Sequence, residues 1–356
     1  MRSASAITRD YEHWLAERIV VVPADVARKH AEMRVDRFRF LRGTYYLWLA
    51  RVVSETPDVL DTARVPLVGD LHIENFGTWR DRKDVRRWGV NDLDELARGP
   101  WLLDLLRLAV SATLAPHIAL DDEEVCELLL REYAAARPGR DAALSSGKAE
   151  HLRALVPAFA SRTKFYAALE GGHAVDDVPP DVVAGALSMT GPGWQPTWHV
   201  REAGTGSLGH RRRVGVGTAA DGHSHAREAK ELGPGTAVWA APLDPRLPQR
   251  ADDLYGAVLR AVEGPGAAAR VDGWQVRDLA PDVVRIELAG LRRKGARRLL
   301  KSMARATADV HHTEPDAWRL ARREARSWQP RELHDLVRTM VEVVKADFKQ
   351  YGGPRP

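Results

Sequence analysis

The chain has 356 residues, 44% hydrophobic and 29% charged, with one cysteine, Cys126. This composition excludes a disordered or fibrous chain, the lone cysteine excludes a disulfide framework or a cysteine-based metal site, and the length predicts a bilobal molecule or two compact domains. Lys and Arg number 53 against 49 acidic residues, a net charge of +4 that is too small and too diffuse to predict nucleic-acid binding. Nine of the basic residues are Lys, and the dense clusters His210 to Arg213 and Arg292 to Lys294 read as solvated faces. No apolar run approaches the ~20 residues of a membrane helix, and MRSASAITRDYEHW has no apolar signal core. The expectation is a cytoplasmic protein with neither a nucleic-acid nor a membrane partner.

Residues 1–60 read as helices, with Phe38, Phe40, Leu41, Tyr45, Leu47, Trp48 and Val52 at helical spacing. Residues 64–79 predict a short apolar strand running into a polar loop, GDLHIEN. After a charged turn, WGVNDLDEL predicts a second short strand, the Gly99-Pro100 step reads as a break, and WLLDLLRLAVSAT reads as a buried helix. The run 121–137 predicts a helix begun by Asp121 or Asp122, with Glu123 and Glu124 in its first turn. The Gly- and Pro-rich stretch 170–200 marks a lobe boundary. Residues 199–240 predict a strand, a Gly-rich turn, a return strand and a third strand through HAREAKEL. Helices return at 250–263 and in the C-terminal third, where Leu333, Leu336, Val337, Met340, Val341, Val344 and Phe348 form one stripe stopped by Gly352.

Three polar segments carry the chemistry. Asp70 and Asn75 lie five apart on the first loop. Asp92 follows seventeen residues after Asn75, with Asp94 beside it. Gly204, Gly206, Ser207 and Gly209 form a turn between strands, with Lys230 on a strand 23 residues beyond Ser207. Singly, these are ordinary: Asp70 and Asn75 suit a turn, Asp92 and Asp94 a surface loop, and a lone Gly-x-Gly-x-x-Gly says little. Together they supply the residue types that phosphoryl transfer needs. Those needs are a carboxylate near the acceptor hydroxyl, an amide and a carboxylate for Mg²⁺, glycines over the phosphates, and a fixed cation. The five-residue spacing of Asp70 and Asn75 equals that of base and metal-binding amide in the protein-kinase catalytic loop.

Gly-Asp-Leu-His-x-x-Asn is also similar to the catalytic loop of aminoglycoside and choline phosphotransferases, with Asp92 matching their metal-binding Asp and Asp104-Leu105 their helix-opening pair. Asp104 is expected to cap or brace its helix. In an ordinary kinase the Gly-rich loop and lysine strand come first; here only 68 residues precede Gly69 and they hold neither. A circular permutation accounts for that order. The arrangement resembles the bacterial family called domain of unknown function 2252, through Phe40-Leu41-Arg42-Gly43, GDLHIENFG at 69–77, Asn91-Asp92 to Asp104-Leu105, GTGSLG at 204–209, Lys230-Glu231 and Val276-Arg277-Asp278-Leu279, over about residues 35–315.

The resemblance implies an α+β, protein-kinase-like bilobal fold with permuted lobes: 1–195 helical with the catalytic and metal loops, 196–285 a small sheet lobe, and 286–356 helices completing the first. The expected reaction is transfer of phosphate from ATP, with magnesium, to a hydroxyl of an unidentified small molecule. Asp70 would orient or deprotonate the hydroxyl, Asn75 and Asp92, with Asp94, would hold the metal, and Lys230, favoured by its distance from the glycine turn and its Glu231 neighbour, or else Arg227 would contact the phosphates. Arg277 is a candidate hinge brace, and no acidic partner for the lysine is evident. Transfer of AMP in the same cleft and a non-catalytic nucleotide-binding or docking module are the alternatives. His72 is expected to brace its loop. His311 and His312 point about 100° apart on a helix, a poor chelating pair. Trp194, Trp198, Trp239, Trp274 and Cys126 read as packing residues.

Overall fold

The structure, a computed structural model, describes residues 2–139, 144, 149–157, 161–201, 209–285, 288 and 290–353. Its first helices are α1 (Ala4–Ala16), α2 (Pro23–Met33), α3 (Arg37–Gly43) and α4 (Tyr45–Glu55). The side chains of Ser3 and Asp36 accept the Ala6 and Arg39 amides and so cap α1 and α3. The apolar spacing at 38–52 becomes the buried faces of α3 and α4.

Strand β1 (Arg64–Leu67) leads into the polar loop, followed by a hairpin of β2 (Phe76–Arg80) and β3 (Arg86–Val90), paired from Phe76↔Val90 to Arg80↔Arg86. The Gly99-Pro100 step, expected as a break, instead ends strand β4 (Ala97–Pro100), which runs antiparallel to β1 with Arg64 opposite Pro100. On the other side β4 is paired only at Ala97 and Arg98, so the proline interrupts no ladder there. Helix α5 (Leu102–Leu114) is buried from Leu102 to Ala112 and forms the central rod of the main core. Asp121 caps α6 (Asp122–Ala135) by accepting the Glu124 amide at 2.8 Å, and Cys126 on that helix is buried, which pushes its thiol up to about 12.

The chain continues through α7 (Glu150–Arg153), α8 (Arg162–Glu170), β5 (Ala174–Val175), α9 (Pro180–Thr190), β6 (Thr197–Val200), β7 (Arg212–Thr218), β8 (Ser224–Glu231), α10 (Thr236–Ala240), β9 (Gln249–Arg250), α11 (Leu254–Ala261), β10 (Ala268–Val271) and β11 (Trp274–Leu279). Strand β9 joins β1 and β4 in a three-stranded sheet; the larger sheet is six-stranded and antiparallel, in the order β10-β11-β8-β7-β6-β5. Trp194, Trp198 and Trp274 pack with Val182 and Ala186 of α9 against Ala229 and Val276. Near one end of the sheet, Tyr166 of α8 packs with Val214, Val216, Ala226 and Leu279.

Helices α12 (Arg293–His311), α13 (Pro315–Ser327) and α14 (Pro330–Tyr351) close the main core. A capping box between Gln329 and Glu332 starts α14, and Gly352 stops it in the left-handed region at φ 99°. The end of α14 lies against the start of α1: the Ala4 amide donates to Gln350 Oε1 at 3.0 Å. Buried Arg51 grips Asp347 through two hydrogen bonds of 2.8 and 2.7 Å and also donates to the Arg2 carbonyl at 3.0 Å. The molecule is a mixed α+β protein with several antiparallel sheets. Among the described residues no helix is long and apolar enough to cross a membrane.

Candidate active site

The loop at 68–75 is held from beneath by a polar stripe on α5. Asp104, Arg107 and Ser111 recur at i, i+3 and i+7, so they share one face of an otherwise apolar helix. The Asp104 carboxylate accepts the Val68 and Gly69 amides at 2.7 and 3.0 Å, and Ser111 Oγ accepts the Ile73 amide at 3.1 Å. Arg107 donates twice to Asp70 Oδ1, once at 2.9 Å through Nε, and to the Leu41 carbonyl at 2.8 Å. Its guanidinium lies 5.0 and 5.3 Å from the ring centres of Tyr45 and Trp48. Asp104 therefore braces the loop rather than only its own helix. Its other partner is His311, whose Nε2 lies 3.0 Å from Asp104 while Nδ1 lies 2.6 Å from Tyr133 Oη.

Backbone geometry completes the loop. Gly69 has φ 89°, and a Cβ there would fall 2.5 Å from the Glu95 carbonyl oxygen, so no side chain fits. Leu71 and Ile73 anchor the loop in the core. His72 is buried, accepts the Glu74 amide on Nδ1 at 3.2 Å, and is held neutral by burial and by the Arg42 and Arg107 charges, as its expected bracing role requires. The Asn75 carbonyl accepts the Asn91 amide at 2.7 Å, which sets the second acidic segment beside the first.

The 91–95 segment is tied to the six-stranded sheet. Arg270 donates to the Leu93 and Asp94 carbonyls at 2.9 and 3.0 Å. Arg277 donates to the Asn91 carbonyl at 3.3 Å and to Glu228 at 2.7 Å, and so bridges sheet and loop. Lys230 forms an ion pair with Asp94. Burial works against the charge on Asp94, yet Lys230 holds its carboxyl well below the usual range. Half-buried Asp92 is pushed up by desolvation and by the Asp94 charge. Glu95 accepts both the amide and the hydroxyl of Thr236 at 2.8 Å.

Strand parity separates the two candidate cations. Residues 226, 228 and 230 point to one side of β8 and 227 and 229 to the other. Lys230 faces the acidic loops. Arg227 faces α9, where it pairs with Asp278 at 2.5 Å and lies 5.9 Å from the Trp194 ring centre. Lys230 lines the cavity described next and Arg227 does not.

Asp70, Asn75, Asp92, Asp94 and Lys230 line one cavity of about 80 Å³, together with Glu95, Lys29, Arg42, His210 and the rings of Tyr11, Tyr45 and Tyr46. A second cavity of about 230 Å³ shares Asp94, Glu95, Leu232, Gly233 and Gly235 with it. Gly204, Gly206 and Ser207 lie outside the described residues. Gly209 is described: it has φ 105°, and its carbonyl accepts the Val22 amide at 3.0 Å. His210, next to it, pairs with Val21 and reaches the cavity wall.

The donor set suits a magnesium ion that arrives with phosphate. Asn75 Oδ1 is buried and has no hydrogen-bond partner among the described residues, an arrangement that calls for a ligand. Asp92 stands ready as an oxygen donor. Asp94, expected beside it as a metal side chain, has its carboxylate on Lys230. Among the described residues no three His, Cys, Asp or Glu side chains are grouped to hold an ion by themselves. Magnesium needs no such cage, because it takes one or two carboxylates and fills its octahedron with phosphate oxygens and water.

Sequence reasoning missed Arg107, Ser111, Glu95, Lys29 and the three tyrosines. The first two had a readable signal, polar side chains at helical spacing inside an apolar helix. Lys29 and the tyrosines had none, because they belong to separate helices that meet only in the folded chain.

A mixed α+β molecule with a charged cleft between helices and an antiparallel sheet is thus the class that fold and site define. Residues 18–150 match the model of a family described as uncharacterized proteins conserved in bacteria, DUF2252. That span holds both acidic loops and α5 and ends before Lys230, where the sequence-based resemblance extended over 35–315. No curated protein and no solved structure matches the chain.

Proposed function

We propose that this chain is an ATP- and magnesium-dependent phosphotransferase acting on a hydroxyl of a small molecule. It would have a protein-kinase-like bilobal fold in which a sheet lobe at about 196–285 follows the acidic loops in 1–195, and helices in 286–356 complete the first lobe. The observation that carries this reading is the meeting of Asp70, Asn75, Asp92 and Lys230, from three separate segments, in one cavity.

Arg107 occupies Asp70 Oδ1 and leaves Oδ2 to accept the acceptor's hydroxyl proton. As that proton leaves, the acceptor oxygen bonds to the terminal phosphorus and the bond to the bridging oxygen of the departing ADP breaks. Lys230, oriented by Asp94, lies where a cation can bind the remaining phosphates. Backbone amides of Gly204, Gly206, Ser207 and Gly209 would cover them. Asn75 and Asp92 would hold magnesium, which supplies charge neutralisation of the triphosphate when bound.

Calorimetry and thermal unfolding with ATP, with and without magnesium, test the reading, since a ligand that binds only the native chain raises its melting temperature. ATP with magnesium is expected to stabilise the protein more than ATP alone. Asp92→Asn should lose that magnesium-dependent increment and lower ATP turnover by at least ~10²-fold, the scale of one good charge-stabilising contact. An unchanged Asp92→Asn protein would remove the metal assignment. Product mass separates the outcomes: a phosphate adduct supports the reading, whereas an adenylate adduct overturns it in favour of AMP transfer.

A further inference from the structure

Four basic side chains line the cavity, and three of them have a partner within the fold. Lys230 is paired with Asp94, Arg42 lies 2.5 Å from Glu74, and His210 Nδ1 lies 3.0 Å from the Glu231 carbonyl. Burial, with the charges of Lys230 and Lys29, pushes His210 down to about 3, so it adds no charge at neutral pH. Lys29 is the fourth. Its ammonium lies 5.4 Å from the Tyr46 ring centre and 6.0 Å from that of Tyr11, and among the described residues no carboxylate lies within ion-pair distance. Glu12, whose charge it feels, is already 2.7 Å from His30. A half-buried ammonium on aromatic faces that lines the cavity, with no described carboxylate at ion-pair distance, is a site for an anion.

The surroundings say which anion. Helix α2, which carries Lys29, is stitched at its start to Gly209 and His210: Val21 bridges His210, and the Val22 amide donates to the Gly209 carbonyl at 3.0 Å. A Cβ on Gly209 would lie 3.3 Å from Val26 Cγ2, and one on Gly43 3.8 Å from Lys29 Cε. Lys29 thus lines the cavity beside His210 and within the electrostatic reach of Asp70. A nucleotide whose phosphates lie on Lys230 would present its outermost phosphate to Asp70, and so to the Lys29 ammonium in the same cavity.

We propose that Lys29 binds the terminal phosphoryl group of the nucleotide, so that α2 belongs to the reaction centre and is not an accessory to it. This inference rests on the phosphotransferase reading above. The test is calorimetric titration of the full chain with magnesium, using ADP and a non-hydrolysable ATP carrying an imido β–γ bridge. Wild-type protein should prefer the triphosphate. Lys29→Met should weaken triphosphate binding about tenfold or more while ADP affinity stays within about twofold, and Lys29→Arg should restore the preference, as a charge-assisted hydrogen bond predicts. Lys29→Gln is the second variant should the methionine disturb folding. Equal affinity changes for both nucleotides, or none, overturn the Lys29 assignment and leave the phosphotransferase reading standing. Failure of wild-type protein to bind either nucleotide overturns both.

Discussion

Burial pushes the Glu95 carboxyl up to about 7, and the Asp70 and Asp94 charges add to the rise, although Thr236 gives it two hydrogen bonds that favour ionisation. In the unfolded chain it titrates near 4.5. Between those values the folded protein holds one proton more than the unfolded chain, so this group's contribution is full below about 4.5 and is lost as pH rises through about 7. The loss is on the order of 3 kcal/mol. Glu95→Gln keeps an acceptor for the Thr236 amide and a donor for its hydroxyl, and should flatten the pH dependence between 5 and 8. Urea unfolding at several pH values checks this; an unchanged slope would mean that Glu95 is ionised in the native state. Lys230 shows the same principle from the other side. Its charge pulls the carboxyl of Asp94, its direct partner, far down, whereas burial and the Asp94 charge push Asp92 up, so two carboxyls two positions apart move in opposite directions.

Helix α5 serves as core rod and loop scaffold together. Asp104→Ala would leave the Val68 and Gly69 amides and His311 without their acceptor, and should destabilise the protein by about 3–5 kcal/mol. Ser111→Ala frees only the Ile73 amide and should cost about 1–3 kcal/mol; denaturant midpoints order the two. Much of the helical frame was legible in advance: the buried helix at 102–114, a start for α6 at Asp121 or Asp122 and the stripe of α14 all follow from apolar period and capping chemistry. The loops at 69–75 and 91–95 were legible because their residue types and spacing are unusual for plain turns. The choice between Lys230 and Arg227 was legible only as a preference for Lys230, from its distance to the glycines at 204–209 and its Glu231 neighbour. Strand β8 alternates Ala226, Glu228 and Lys230 with Arg227 and Ala229, and neither set is apolar enough to declare which side is inward. Strand β4 was missed because Gly99-Pro100 has the local chemistry of a turn, and only its partner β1 makes it a strand.

Across the whole molecule, α4 and the last helix, α14, are locked together by Arg51 and Asp347, both buried, and Arg51 also holds the Arg2 carbonyl just ahead of α1. Asp347→Ala would leave the guanidinium without its partner and should lower stability by about 3–5 kcal/mol. Because neither residue lines the cavity, nucleotide affinity measured well below the unfolding temperature should not change. The helical core, which also takes in Ala240 of α10 and Tyr255 and Val258 of α11 from beyond β8 in the chain, makes the arrangement of sheet and acidic loops a property of the entire chain. No short window of sequence could have supplied that arrangement.

The contact between the Ala4 amide and Gln350 has a consequence for how the polypeptide can be wired. A short linker from Gly352 to Ser3 would close the backbone into a ring at little cost to the packing. Cutting that ring at exposed Ser161, just ahead of α8, would give a polypeptide that begins with the sheet and its lysine and reaches the acidic loops last. If contacts rather than covalent order assemble the cleft, this rewired protein folds to the same shape.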